Sequence, residues 1–276
     1  MTDLFRTVLL ATQCTEFDVG AERVAIDLAA NWGIPLFAVL PLVSNPEYES
    51  IAPLQQEAAE SEAAAKLGSL RNAAAARGVE LIGTIRRGEE PYSEIIAEAR
   101  DSQADLIVLR RRGKRWFLAN LLMGEMVHAV TSHAPCHVLI VPRAARLWSG
   151  GIAVAIDGSR HSQHASGVAA AIAKRCGLPL TAISVAGADD RDGSVANAHV
   201  ALALAAARAA GVPAHGVVSA GQPHEAILHA AEKAGADLIV VGRRGLNPAK
   251  RPLLGSTSER VASHANGPVL IVHAQT

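Results

Sequence analysis

The feature that most constrains this chain is that it repeats itself. Ala104–Gly113 (ADLIVLRRRG) matches Ala236–Gly245 (ADLIVVGRRG) at an offset of 132 residues, Asp105 against Asp237. Val130–Ala134 (VTSHA) followed by Val138–Val141 (VLIV) matches Val261–Ala265 (VASHA) followed by Val269–Val272 (VLIV). There the offset is 131, so the first copy carries one extra residue between Gly113 and Gly124. Upstream, Gly33-Ile-Pro-Leu36 matches Gly177-Leu-Pro-Leu180, and Pro91 with Ile95 matches Pro223 with Ile227. Solenoid repeats run to roughly 20–50 residues. A much longer period makes each copy a domain. We place the domains at residues 1–142 and 151–276, with residues 143–150 as linker inside the stretch Pro142–Gly151.

Within a copy, short apolar runs alternate with amphipathic helical stretches. In the second copy Ile152–Ile156 reads as a strand and Ser162–Arg175 as an Ala-rich helix ending near Gly177. Pro179–Val185 reads as a strand, Ser194–Ala210 as a helix stopped by Gly211, and Ala214–Ser219 as a strand. Pro223 opens a helix at a position where its missing N–H is harmless. Asp237–Val241 and Val269–Val272 are strands apolar on both faces. Such alternation means right-handed βαβ crossovers around a buried parallel sheet. The fold class is α/β, two tandem doubly wound domains.

The bulk numbers agree and exclude several function classes. Half of the residues are hydrophobic and only 3% aromatic, which suits Ala-rich helices on a sheet of Val, Ile and Leu. Lys+Arg and Asp+Glu each number 26, so gross charge directs the chain neither to nucleic acid nor to acidic substrates. Three scattered cysteines, Cys14, Cys136 and Cys176, form no CxxC pair and fit a reducing cytoplasm. The opening MTDLFRTVLLATQ lacks the basic and long apolar regions of a signal peptide. The most apolar helical stretch, Val200–Ala210, contains Arg208 and falls short of the ~20 residues that span a bilayer. The expectation is a cytoplasmic protein with no nucleic-acid or membrane partner.

Chemistry concentrates in one loop of the second copy. Gly242-Arg-Arg-Gly245 is followed by nine residues (246–254) and then by Gly255-Ser256-Thr257-Ser258. Gly242 ends an apolar strand, and a helix is expected over Glu259–Ala265. Glycines allow close approach of backbone to an anion and turns through φ > 0. A helix N-terminus adds unpaired N–H groups and partial positive charge, and the three hydroxyls add donors. Each charge-assisted bond contributes roughly 1.5–3 kcal/mol. The position, at the carboxyl end of a strand, is where open α/β sheets bind ligands.

This G-x2-G-x9-G-[ST] pattern resembles the nucleotide-binding motif of the universal stress protein family. Ile152–Ser159 (IAVAIDGS), Gly221-Gln-Pro223 and Pro268–Val272 (PVLIV) resemble the family's other landmarks. The pattern is not a P-loop, because no lysine follows the third glycine. The resemblance implies an adenine nucleotide α-hydrolase-like, Rossmann-like five-stranded parallel sheet of order 3-2-1-4-5, with ATP at the switch between strands 1 and 4. It implies that Asp157 faces ribose or adenine and that Val185 contacts adenine through its backbone. Gly242, Arg244 and Gly245 would line the phosphate loop, with Gly255, Ser256, Thr257 and Ser258 around the phosphates of ATP, with or without Mg²⁺. Members of the family dimerise through the last strand. The tandem chain is therefore expected to pair Val138–Val141 with Val269–Val272, which also covers two edges prone to aggregation. Association of two chains is left open.

The first copy departs from the motif. Gln13 stands for Asp157, Cys14-Thr15 for Gly158-Ser159, Arg110 for Gly242 and Glu125 for Ser256. A carboxylate ~4 Å from a phosphate repels it by roughly 4 kcal/mol at an effective dielectric near 20. An exposed helix N-terminus attracts an anion by only about 0.3–1 kcal/mol. The first domain is expected not to hold ATP in this manner. Arg110, Arg111, Arg112, Lys114 and Arg115 form a basic loop, read either as solvated surface or as a site for another anion.

The remaining candidates are weaker. His161 and His164 share a helix start and His224 and His229 do not share a face. No Cys or carboxylate completes a metal set. His133 and His264 repeat at matching positions in the last helix of each copy, which suits a structural role. No general base or Mg²⁺ carboxylate cluster is evident. The expectation is a nucleotide-dependent stress or signalling module with at most slow hydrolysis. An ATP-using hydrolase or transferase of the α-hydrolase type and a nucleotide-free scaffold stay open as alternatives.

Overall fold

The strands form where runs of Val, Leu and Ile can be buried on both faces. In the computed structural model, which describes residues 4–44, 53–111, 124–187, 189–190, 192–245 and 254–273, ten strands build one sheet, its inner strands such runs and its two edge strands only partly buried. The first half contributes β1 (Val8–Ala11), β2 (Leu36–Val43), β3 (Leu81–Gly88), β4 (Leu106–Arg110) and β5 (His137–Val141). Its helices are α1 (Val19–Trp32), α2 (Pro53–Ala75), α3 (Pro91–Asp101) and α4 (Glu125–His133). The second half repeats the sequence of elements. Its strands are β6 (Ile152–Ala155), β7 (Leu180–Ala186), β8 (Ala214–Ala220), β9 (Leu238–Gly242) and β10 (Val269–Val272). Its helices are α5 (Arg160–Cys176), α6 (Ser194–Ala209), α7 (Pro223–Lys233) and α8 (Ser256–His264).

The sheet order is β3-β2-β1-β4-β5-β10-β9-β6-β7-β8. Each half therefore has the 3-2-1-4-5 order, parallel throughout, and the fold is the tandem doubly wound α/β arrangement read from the sequence. β5 and β10 pair antiparallel, with Val138 opposite Ile271, Leu139 opposite Leu270 and Ile140 opposite Val269. Every residue of β10 is buried.

Local chemistry places the element ends. α1 and α5 stop at Gly33 and Gly177, whose φ of 64° and 66° suit glycine at a helix C-terminus. α3 and α7 open on Pro91 and Pro223. Two helix starts differ from the sequence reading. α5 begins at Arg160, because the Ser159 hydroxyl accepts the Ser162 N–H and caps the helix there. α8 begins at Ser256 rather than Glu259, with Gly255 as N-cap. Ser256, Thr257 and Ser258 are thus the first turn of the helix and not a loop ahead of it.

Candidate functional site

Where β6 ends, its two neighbours are β9 on one side and β7 on the other. The connections from β6 and β9 leave in opposite directions, so a crevice opens at the carboxyl ends of the strands. A cavity of about 330 Å³ lies in it. Ala155, Ile183, Val185 and Ile227 form its apolar wall; Gly242, Arg244, Gly245 and Gly255 to Ser258 form the wall facing the glycine loop. Asp157 and Arg244 are the charged side chains among the described lining residues.

All nine residues singled out from the sequence line this cavity: Asp157, Val185, Gly242, Arg244, Gly245, Gly255, Ser256, Thr257 and Ser258. The stretch 246–253 between the glycines lies outside the described residues. Asp157 is fixed by its own turn, its Oδ1 accepting the Ser159 N–H at 3.0 Å. Its Oδ2 faces Gly245, where an added Cβ would stand 2.7 Å away. Gly158 adopts φ +81°, and a Cβ there would meet the ring of His199. The left-handed backbone is what calls for glycine there, since the His199 ring can turn aside.

The loop glycines act differently from the sequence expectation. None of Gly242, Gly245 and Gly255 has a positive φ. Space selects Gly242 and Gly245 instead, whereas a Cβ on Gly255 would make only ordinary contacts. A Cβ on Gly242 would lie 2.8 Å from the His161 carbonyl carbon, so this glycine lets the start of α5 sit against the end of β9. Gly255 donates its N–H to the Arg243 carbonyl at 2.9 Å, folding the loop back on itself. Ser258 is buried and its hydroxyl donates to the Gly242 carbonyl at 2.7 Å. The side chain expected to touch phosphate therefore clamps the loop, leaving its backbone N–H. Gly255 offers α8 no side-chain cap. The N–H groups of Ser256, Thr257 and Ser258 thus precede the first helical bond, Glu259 N–H to the Gly255 carbonyl.

Two kinds of residue escaped the sequence reading. Ile183 lies two residues before Val185 on β7 and so shares its face, a signal that strand period carries. Ser159 and Ser162 look like any helix start, and only the fold shows Ser162 in the cavity wall. Among the described residues no group of three or more His, Cys, Asp or Glu is placed to hold a metal. His133 and His264 do serve their helices, Nδ1 lying 2.8 Å from the Ala129 and Arg260 carbonyls.

The family model for universal stress proteins matches residues 4–142 and again 151–273. The chain belongs to the universal stress protein family. Among curated members, the universal stress protein YxiE of Bacillus subtilis is 48% identical over 63 residues, 22% of this chain and 42% of the relative. The chain spans less than half the length of the curated relatives it matches. A universal stress protein structure from Archaeoglobus fulgidus superimposes with a TM-score of 0.78 at 23% identity, covering 98% of both chains. Another, described as a universal stress protein in complex with cAMP, is 31% identical over 46% of this chain and 98% of its own, with a TM-score of 0.40.

The first domain of this tandem universal stress protein has a matching but nearly closed cavity, about 10 Å³. Its lining residues Ala11, Thr12, Gln13, Asp18, Pro41, Ile95, Arg110 and Met126 are the counterparts of Ala155, Ile156, Asp157, Ser162, Val185, Ile227, Gly242 and Thr257. Arg110 closes it. Where Gly242 admits the start of α5, the Arg110 Nε instead reaches Asp18 Oδ1 at 3.1 Å, and Asp18 is 2% exposed. Asp18 is the N-cap residue of α1, which starts three residues later than its counterpart α5. Arg111 donates to the Ala265 carbonyl across the domain boundary, and burial lowers its pKa. Both basic residues of the described part of this loop are therefore held by the protein itself. Arg112, Lys114 and Arg115 lie outside the described residues.

Proposed function

We propose that this universal stress protein is a nucleotide-dependent stress-response module that holds one ATP, in its second domain. The observation that carries the reading is the join at the β6/β9 crevice. There an uncapped helix N-terminus and two glycines without room for a Cβ, Gly242 and Gly245, meet an apolar wall of Ile183, Val185 and Ile227. Backbone donors suit a polyphosphate, and the apolar wall suits a base. A volume of 330 Å³ falls within the range of roughly 300–1,000 Å³ typical of small-ligand sites. Asp157 sits between the two ends and can accept a ribose hydroxyl through Oδ2. As the one carboxylate among the described lining residues, it leaves a Mg²⁺ ion to draw its other ligands from phosphate and water. No residue pair in the described cavity wall is placed as a nucleophile with its base, so retention rather than turnover fits the lining. In the first domain the Arg110–Asp18 pair takes the volume a nucleotide would need. A cytoplasmic setting accords with three unpaired thiols.

Heat extraction of the native protein, with chromatography of whatever is released, tests this directly. Calorimetric titration of the stripped protein with ATP should give one site per chain. A stripped protein that binds no adenine nucleotide refutes the reading, and a stoichiometry of two refutes the assignment to one domain.

A further inference from the structure

Two histidines meet at the seam between the half-sheets. His137 opens β5 and His273 follows β10, and the His273 backbone N–H donates to His137 Nδ1 at 3.1 Å. Arg243 Nη1 lies 3.2 Å from His273 Nδ1. A guanidinium and a backbone amide can only donate. Each imidazole must therefore keep Nδ1 bare and carry its proton on Nε2. A second proton on either ring would set N–H against N–H and break that bond. Arg243 is also the residue after Gly242. Its N–H donates to the Val272 carbonyl and its carbonyl accepts the Gly255 N–H, so it joins the seam to the base of the glycine loop.

We propose that His137, His273 and Arg243 form an acid-released latch, which holds the two half-sheets together and, through Arg243, holds the glycine loop in its binding shape.

The surroundings act in one direction. Around His273, burial, then Arg243, His137 and His161 oppose the charged form, and only the Ala134 carbonyl favours it; the pKa is lowered to about 3. Around His137, burial and then His164 on α5 oppose it, while Asp105 ahead of β4 favours it; the pKa is lowered to about 4. Phe5 stands edge-on to His137 and adds no charge. A histidine with a depressed native pKa contributes stability that is complete above its unfolded value near 6.5. The contribution is lost as the pH falls from there towards the native values. Once the seam opens, each ring takes a proton readily. At pH 5.5 that favours the open form by roughly tenfold per ring over its population at neutral pH.

The test compares the full-length protein with His137→Asn/His273→Asn, whose amide Oδ1 atoms stand where Nδ1 stood, accept the same two bonds and never titrate. Between pH 7.5 and 5.5 the melting temperature of the unmodified protein should fall about 5 °C further than that of the variant. Equal falls overturn the latch. Should the variant not fold, ¹⁵N imidazole spectra of the unmodified protein decide. Both rings should be neutral Nε2–H tautomers down to pH 5.5, and a ring that titrates near 6.5 in the folded protein overturns the proposal.

The link to the loop rests on the ATP reading and is measured separately. Acidification to pH 5.5 should weaken ATP binding at least threefold more in the unmodified protein than in the variant. The same loss in both overturns the loop half alone. Failure of the unmodified protein to bind ATP at pH 7.5 defeats the nucleotide reading, while the melting comparison still decides the latch.

Discussion

Gly242 and Gly245 are both short of room, but against different neighbours, and substitution separates them. A methyl group on Gly242 meets the backbone of His161, which cannot move without shifting α5. We expect Gly242→Ala to cost about 1–3 kcal/mol, the range for overpacking, read as a lower urea midpoint. Gly242→Arg, although Arg110 fills the matching place in the first copy, should be worse. A methyl group on Gly245 meets only the Asp157 carboxylate, which can rotate away. Gly245→Ala should therefore keep stability within about 1 kcal/mol while lowering ATP affinity at least tenfold, because the crowded carboxylate borders the loop that would cradle phosphate. An unchanged midpoint in the first variant contradicts the packing argument; unchanged affinity in the second contradicts the phosphate loop. Ser258→Ala supplies a third reading. It removes the buried bond to the Gly242 carbonyl and should cost about 1–2 kcal/mol by leaving that oxygen unpaired.

At the level of elements, the two copies start the first helix at different places, and the residue at the end of the fourth strand differs with it. With glycine at 242, α5 begins at Arg160 against the end of β9; with arginine at 110, α1 begins only at Val19 and turns Asp18 inward to meet the guanidinium. Asp18 also accepts the Thr15 N–H at 3.0 Å. Asp18→Ala should cost about 3 kcal/mol, the low end for a broken buried pair because Arg110 keeps 22% exposure and can reach water. A chemical denaturation midpoint that hardly moves would show the pair to be incidental. The strands were legible from the sequence, since runs such as Val269–Val272 are apolar at every position and can only be buried on both faces. Seven of the nine residues in the crevice were legible locally, because a strand end, glycines and a hydroxyl run lie close together in the chain; Asp157 and Val185, far from that loop in sequence, came only from the family resemblance. The Arg110–Asp18 pair was not, as its members stand far apart in sequence and nothing local joins them. Nor was the start of α8: serine and threonine suit a loop as well as a first helical turn, and only the Glu259 N–H bond to the Gly255 carbonyl decides between them. The seam histidines escaped for the same reason, each being ordinary among its own neighbours.

Over the whole molecule, the hydrophobic core divides by face of the sheet and not by domain. One buried cluster runs from Phe5 and Val24 through Trp148 to Ile172 and Leu270; the other runs from Leu9 and Ile95 through Ile140 to Ile239 and Val261. Each contains residues of both halves, and both cross the β5/β10 seam, where Leu139 lies opposite Leu270. Unfolding one half would strip apolar cover from the other at roughly 25 cal/mol per Å² exposed and would bare a fully apolar strand edge. The tandem chain should therefore melt as one unit. Calorimetry at pH 7.5 should give a single transition whose calorimetric and van't Hoff enthalpies agree. Leu139→Lys places an ammonium group in the seam and should divide that transition in two or bring on aggregation of the exposed edges. Two resolved transitions in the unmodified protein would mean that the halves are stable separately, and that the seam joins them without adding to the stability of either.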